Sequence, residues 1–76
     1  MKLFSNLILV AALGGHVFFY NDRVRVTEGF YTGCIGLVED ERPNDVYEVV
    51  LIKCGKEELN KYVFLKAYSL ELLKKR

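Results

Sequence analysis

The most constraining feature of this chain is the segment from Asp22 to Val38, Asp-Arg-Val-Arg-Val-Thr-Glu-Gly-Phe-Tyr-Thr-Gly-Cys-Ile-Gly-Leu-Val. Val24 and Val26 alternate with charged residues, which is the period of a strand with one buried face. Three glycines follow, spaced four and three residues apart, where backbone must turn sharply or pass close to other backbone. The apolar alternation then restarts at Val38. The segment therefore predicts a strand, a glycine-containing loop and a second strand.

The spacing of this segment resembles the KOW motif, in which an aspartate, alternating valines and three glycines recur in this order. The matching positions are Asp22, Val24, Val26, Gly29, Gly33, Gly36 and Val38, and Asn21 stands where the family usually has glycine. KOW modules are SH3-like barrels that contact RNA or protein in ribosomal proteins and elongation factors. The resemblance implies a mainly β fold, a small five-stranded SH3-like barrel. It also implies an intracellular module that binds nucleic acid or the transcription or translation machinery.

The remaining residues supply three further strands. Val46 to Cys54 is rich in β-branched and aromatic residues and follows a polar turn that contains Pro43, Asn44 and Asp45. A second turn at Gly55 precedes a strand from Asn60 to Ala67, with Tyr62, Phe64 and Leu65 as candidate core residues. Tyr68 to Leu70 is typical of a one-turn 3₁₀ connector, and Glu71 to Leu73 is predicted to pair with the first strand.

The first twenty residues form a separate segment, so the predicted division is 1–20 and 21–76. Residues 3–20 carry no formal charge, which is close to the length that spans a bilayer. Three interpretations remain open: an apolar helix that anchors the protein in a membrane by a single pass, a helix and short strand packed on the barrel, or a secretory signal peptide. The first predicts a membrane-associated protein and the second is compatible with a cytoplasmic one.

Charge argues against nucleic acid as the main partner. From Asn21 onward there are ten Lys and Arg, which is the total of 11 without Lys2, and ten Asp and Glu, so this part is net neutral. Nucleic-acid binders usually carry a basic face and a high pI. We therefore expect a protein partner, with nucleic acid as the alternative.

The two cysteines are candidates for a disulfide. A hairpin that turns about Asn44 pairs residues whose numbers sum to about 88, which places Cys34 almost opposite Cys54. Two buried thiols in a reducing compartment are the alternative. The spacing of the cysteines matches no metal site.

No set of residues combines a nucleophile, a base and an orienting group, so the sequence favours a non-enzyme without cofactor, metal or small-molecule substrate. The chain has more aromatic residues than so small a core can bury, and Tyr is enriched at interfaces. We take Phe30, Tyr31, Tyr47 and Tyr62 as candidate partner-binding residues. The sequence thus predicts an interaction module, tethered to a membrane, that docks a protein partner or serves as a small accessory subunit of a larger assembly.

Overall fold

A computed structural model describes residues 17–75, which contain five β-strands and a single turn of 3₁₀ helix. The strands are β1 (Arg23–Val26), β2 (Ile35–Arg42), β3 (Val46–Cys54), β4 (Glu57–Lys66) and β5 (Leu70–Lys74), and the 3₁₀ turn (Ala67–Ser69) joins β4 to β5.

All strands are antiparallel to their neighbours and form one sheet in the order β4-β3-β2-β1-β5. The prediction of a closed SH3-like barrel is therefore wrong. Within residues 17–75 no ladder joins β4 to β5, so the sheet is open, and no α-helix is present. Closure requires pairing of the two outer strands, whereas β4 and β5 each pair on one side only. The predicted helix falls mainly in residues 1–16, outside the described residues.

The pairing of β2 with β3 follows the turn at residues 43–45. Ile35 lies opposite Lys53 and Arg42 lies opposite Val46, and both pairs have numbers that sum to 88. Asn44 and Asp45 have φ of 65° and 59°, a left-handed conformation that Asn and Asp tolerate better than most residues. Turn chemistry thus sets the register at both ends of the β2–β3 hairpin, as the sequence predicts, while two irregularities shift the pairs between them by one residue.

The core lies on one side of the sheet and draws on every strand. Its residues are mainly small and β-branched: Phe18, Val24, Val26, Cys34, Val38, Tyr47, Val49, Leu51, Val63, Ala67 and Leu70. Tyr62 and Phe64, predicted to supply the core from β4, are exposed, because Val63 between them takes the inward position and successive side chains point to opposite faces.

The described N-terminal residues pack on the sheet. Phe18 is 5% exposed, its ring meets that of Tyr47 edge-on at 5.3 Å, and its N–H donates to the Tyr47 hydroxyl at 3.2 Å. A turn follows, in which the N–H of Phe19 donates to the buried Asp22 carboxylate at 2.9 Å. The packed unit therefore begins before Asn21. Within residues 17–75 no helix has the length and hydropathy to cross a membrane.

Candidate functional site: the outer face of the sheet

The face of the sheet opposite the core, here called the outer face, is defined by the alternation along each strand. Val24 and Val26 of β1 point into the core, so Arg23 and Arg25 point outward. Tyr47, Val49 and Leu51 of β3 belong to the core cluster, so Glu48 and Val50 lie on the outer face. The same reasoning places alternate residues of β2 and β4 there.

This outer face carries an apolar patch in place of the polar residues expected on the solvated side of an antiparallel sheet. Leu37, Val50 and Tyr62 are directly paired across β2, β3 and β4. We define the outer patch as five residues from these strands: Ile35, Leu37, Val50, Tyr62 and Phe64. Val50 is only 5% exposed although it lies outside the core cluster, because its cross-strand neighbours cover it. Tyr62 and Phe64 are 55% and 60% exposed.

A groove of about 600 Å³ adjoins the outer patch and is lined by residues of all five strands. Its apolar lining consists of Ile35, Ile52, Leu59 and Leu73, and its charged lining of Arg23, Lys53 and Glu58. Leu59 belongs to β4 and Leu73 to β5, the two outer strands, so the open sheet must curl strongly to bring both to one groove. Its volume lies within the range of about 300–1,000 Å³ that is typical of ligand sites.

Charged side chains border the outer patch. Arg42 contacts Glu48 at 3.1 Å and Asp40 at 3.8 Å, and its guanidinium lies 5.4 Å from the ring centre of Phe64. Arg25 pairs with Glu71 at 3.4 Å near the opposite edge of the sheet, where β1 pairs with β5. Cations over aromatic faces and apolar centres with polar rims are both common in protein interfaces. The arrangement provides shape and apolar area for binding.

The β1–β2 loop holds two of the predicted partner-binding residues away from the outer patch. The Phe30 ring is 92% exposed and meets Tyr31 edge-on at 4.9 Å, while Tyr31 packs partly against the core. The loop is closed by hydrogen bonds from the Gly33 N–H to the Val26 carbonyl and from the Thr32 hydroxyl to the Gly29 carbonyl, at 2.7 and 2.6 Å. Phe30 is thus presented to solvent on a well-braced loop.

Tyr47 requires a correction as a partner-binding residue. It is 2% exposed, and its ring lies in the core against Phe18. Its hydroxyl accepts the Phe18 N–H, so the polar atom that would favour an exposed position is satisfied inside the protein. A partner has no access to this side chain.

The structure joins Cys34 to Cys54 by a disulfide, with a distance of 4.2 Å between their Cα atoms. The hairpin register brings the two residues opposite each other. Three residues that line the groove are adjacent to this bond in sequence: Ile35 follows Cys34, and Ile52 and Lys53 precede Cys54. The bond therefore braces the groove where β2 begins and β3 ends.

Sequence reasoning missed most of the outer patch, namely Ile35, Leu37 and Val50 with Phe64. The sequence signal that could have revealed the outer patch is in β3, where Val50 and Ile52 occupy positions that an alternating strand would fill with polar residues. Among residues 17–75, no three His, Cys, Asp or Glu side chains come close enough to hold a metal ion. No protein-family model and no curated protein matches this chain, so its resemblance to the KOW motif rests on the spacing of its own residues.

Proposed function

We propose that this protein is a non-catalytic interaction module that binds a protein partner through the outer patch. The observation that carries the proposal is the apolar character of Leu37, Val50 and Tyr62 on the face of the sheet away from the core. Apolar clusters with a polar rim on a small protein mark interaction sites, because their exposure to water costs free energy that a partner recovers.

A protein partner fits this surface better than nucleic acid. The groove beside the outer patch carries Arg23 and Lys53 but also the carboxylate of Glu58. Two more carboxylates, those of Asp40 and Glu48, lie beside Arg42 at the border of the outer patch. Phosphate backbones are bound by continuous basic surfaces, and carboxylates in the footprint oppose them. Tyr62, Phe64 and Arg42 are residue types enriched in protein interfaces.

Membrane association through the N-terminal segment is the second part of the proposal. Phe18 belongs to the core, so residues 17–20 of the uncharged stretch form part of the folded unit. Residues 3–16 carry no formal charge and remain for the membrane, and because they are fewer than the ~20 that a spanning helix needs, the association we propose is with the membrane surface. Fractionation of expressing cells tests this part: the protein should pellet with membranes, and a chain lacking residues 1–16 should not.

Site-specific photo-crosslinking in cells tests the partner-binding surface. A photoreactive side chain at position 37, on the β2 side of the outer patch, should yield one discrete protein adduct. The same group at Tyr68, which is exposed on the 3₁₀ turn, is the matched control and should yield none. An adduct at position 37 should weaken at least ~tenfold when Tyr62 is replaced by Ala, since interface aromatics contribute strongly to binding.

Three outcomes would contradict the proposal. Equal crosslinking at positions 37 and 68 would indicate nonspecific contact. Failure of the adduct to form in a lysate treated with nuclease before irradiation would indicate that nucleic acid holds the partner. Absence of any adduct in cells would mean that the outer patch is not an interaction site.

A further inference from the structure

The outer edge of β4 is the longest stretch of strand backbone without a neighbouring strand in the described part of the chain. β4 spans Glu57–Lys66, is the longest strand, and pairs only with β3. It contains neither Pro nor Gly, and its side chains are largely exposed. Natural sheets usually protect such an edge with a short strand, a proline or a covering segment, because its free N–H and C=O groups can pair with another strand.

β4 carries a negative charge near its start and a positive charge at its end, and neither charge makes an ion pair within residues 17–75. Glu58 makes no ion pair there, and the Lys66 ammonium donates to the Asn44 carbonyl at 3.3 Å. Both residues lie on the outer-face side of the alternation, as do Asn60, Tyr62 and Phe64 between them. An antiparallel strand with the same order of charges along its sequence, glutamate before lysine, would place a lysine opposite Glu58 and a glutamate opposite Lys66.

We propose that this complementary strand is β4 of a second copy of the chain, so that two molecules form a dimer by edge-to-edge pairing. With Tyr62 opposite its own counterpart about a twofold axis, Glu58 of each copy lies opposite Lys66 of the other. The exposed rings of Tyr62 and Phe64 from both copies then meet as direct and diagonal cross-strand neighbours. The pairing joins two five-stranded sheets into one and leaves Leu37 free for a different partner.

Charge-reversal variants of β4, made in the full chain, test the proposed dimer. Glu58→Lys and Lys66→Glu should each place like charges at both ends of the paired strands and raise the dimer dissociation constant at least ~tenfold. An equimolar mixture of the two variants should associate again, because in the mixed dimer both contacts join a lysine to a glutamate. The measurement is sedimentation velocity over a concentration series, with circular dichroism to verify that each variant is folded.

Glu57→Lys is the matched control, since it makes the same change of charge outside the paired contacts and should dimerise like the parent. Three results would overturn the proposal. The first is a parent that stays monomeric up to about 1 mM, a concentration at which only very weak association escapes detection. The second is single variants that associate like the parent, and the third is a mixture that does not associate. The second result would assign self-association to another segment, such as residues 1–16. The outer-patch crosslink at position 37 tests a different surface, and only its Tyr62→Ala variant changes a residue that the two sites share.

Discussion

At the scale of single residues, the turns on either side of β1 depend on backbone conformations that their sequence provides. Asn21 has φ of 72°, in the left-handed region that Asn enters more readily than most residues. Asn21 stands at the position where the KOW pattern has glycine. A left-handed backbone at this position suits both Asn and Gly. Gly33 has φ of 92°, which side chains with a Cβ rarely adopt.

Gly36 has a different requirement. A Cβ there would lie 2.6 Å from the Val49 Cγ1 and 2.8 Å from the Val50 carbonyl oxygen. The second contact is with backbone, which cannot move without shifting the β2–β3 ladder. The absence of a side chain lets β2 approach β3 closely, and this approach contributes to the curl of the sheet.

We therefore expect substitutions at these two glycines to destabilise the protein for different reasons. Gly33→Val should cost at least ~1 kcal/mol from backbone strain alone, as no atom lies within 4 Å of its Cβ. Gly36→Ala should cost about 1–3 kcal/mol from overpacking. Urea unfolding measures both, with Glu28→Ala in the exposed loop as control. A Gly33→Val variant as stable as the parent would show that the glycine spacing is coincidental.

At the scale of secondary-structure elements, the disulfide links the start of β2 to the end of β3. It closes a loop of 20 residues. By the chain-entropy estimate, a loop of this length stabilises the folded state by about 3 kcal/mol. That is a large share of the stability of a domain this small, because its core has few large side chains.

We expect reduction of the disulfide to lower the melting temperature markedly. A loss of about 3 kcal/mol corresponds to roughly 12–24 °C for a domain of this size. Thermal unfolding with and without reductant measures the shift, and a Cys34→Ala/Cys54→Ala variant should melt like the reduced parent and ignore reductant. Thiol counting on protein from its native compartment then decides whether the bond forms there. Two free thiols would place the protein in a reducing compartment.

At the scale of the whole molecule, the N-terminal boundary of the folded unit lies before Phe18. The Phe18 side chain fills the core beside Tyr47, and its backbone N–H satisfies the buried Tyr47 hydroxyl. Phe19, the next residue, is 56% exposed. The two adjacent phenylalanines therefore have unequal energetic roles.

This difference predicts where the chain tolerates truncation. A chain that begins at Asn21 should be at least ~3 kcal/mol less stable than one that begins at Val17, through the lost phenylalanine and the unsatisfied hydroxyl. Phe18→Ala in the full chain should lose about 3–5 kcal/mol and Phe19→Ala within about 0.5 kcal/mol. Chemical denaturation of the four proteins measures these values. Equal stability of the two truncated chains would contradict the assignment of Phe18 to the core.

The sequence by itself determined which segments form the five strands and where the β2–β3 hairpin turns. Alternating valines, a Pro-Asn-Asp turn and glycines act locally, so they can be read without knowing what packs on them, and the facing positions of Cys34 and Cys54 follow from the turn alone. The tertiary structure decided which face of the sheet is covered. β3 is apolar on both faces, with Tyr47 and Leu51 on one and Val50 on the other, so its alternation does not distinguish core from surface. Burial of Tyr47, exposure of Tyr62 and Phe64, and the open sheet all depend on long-range packing, including that of Phe18, to which local sequence is blind.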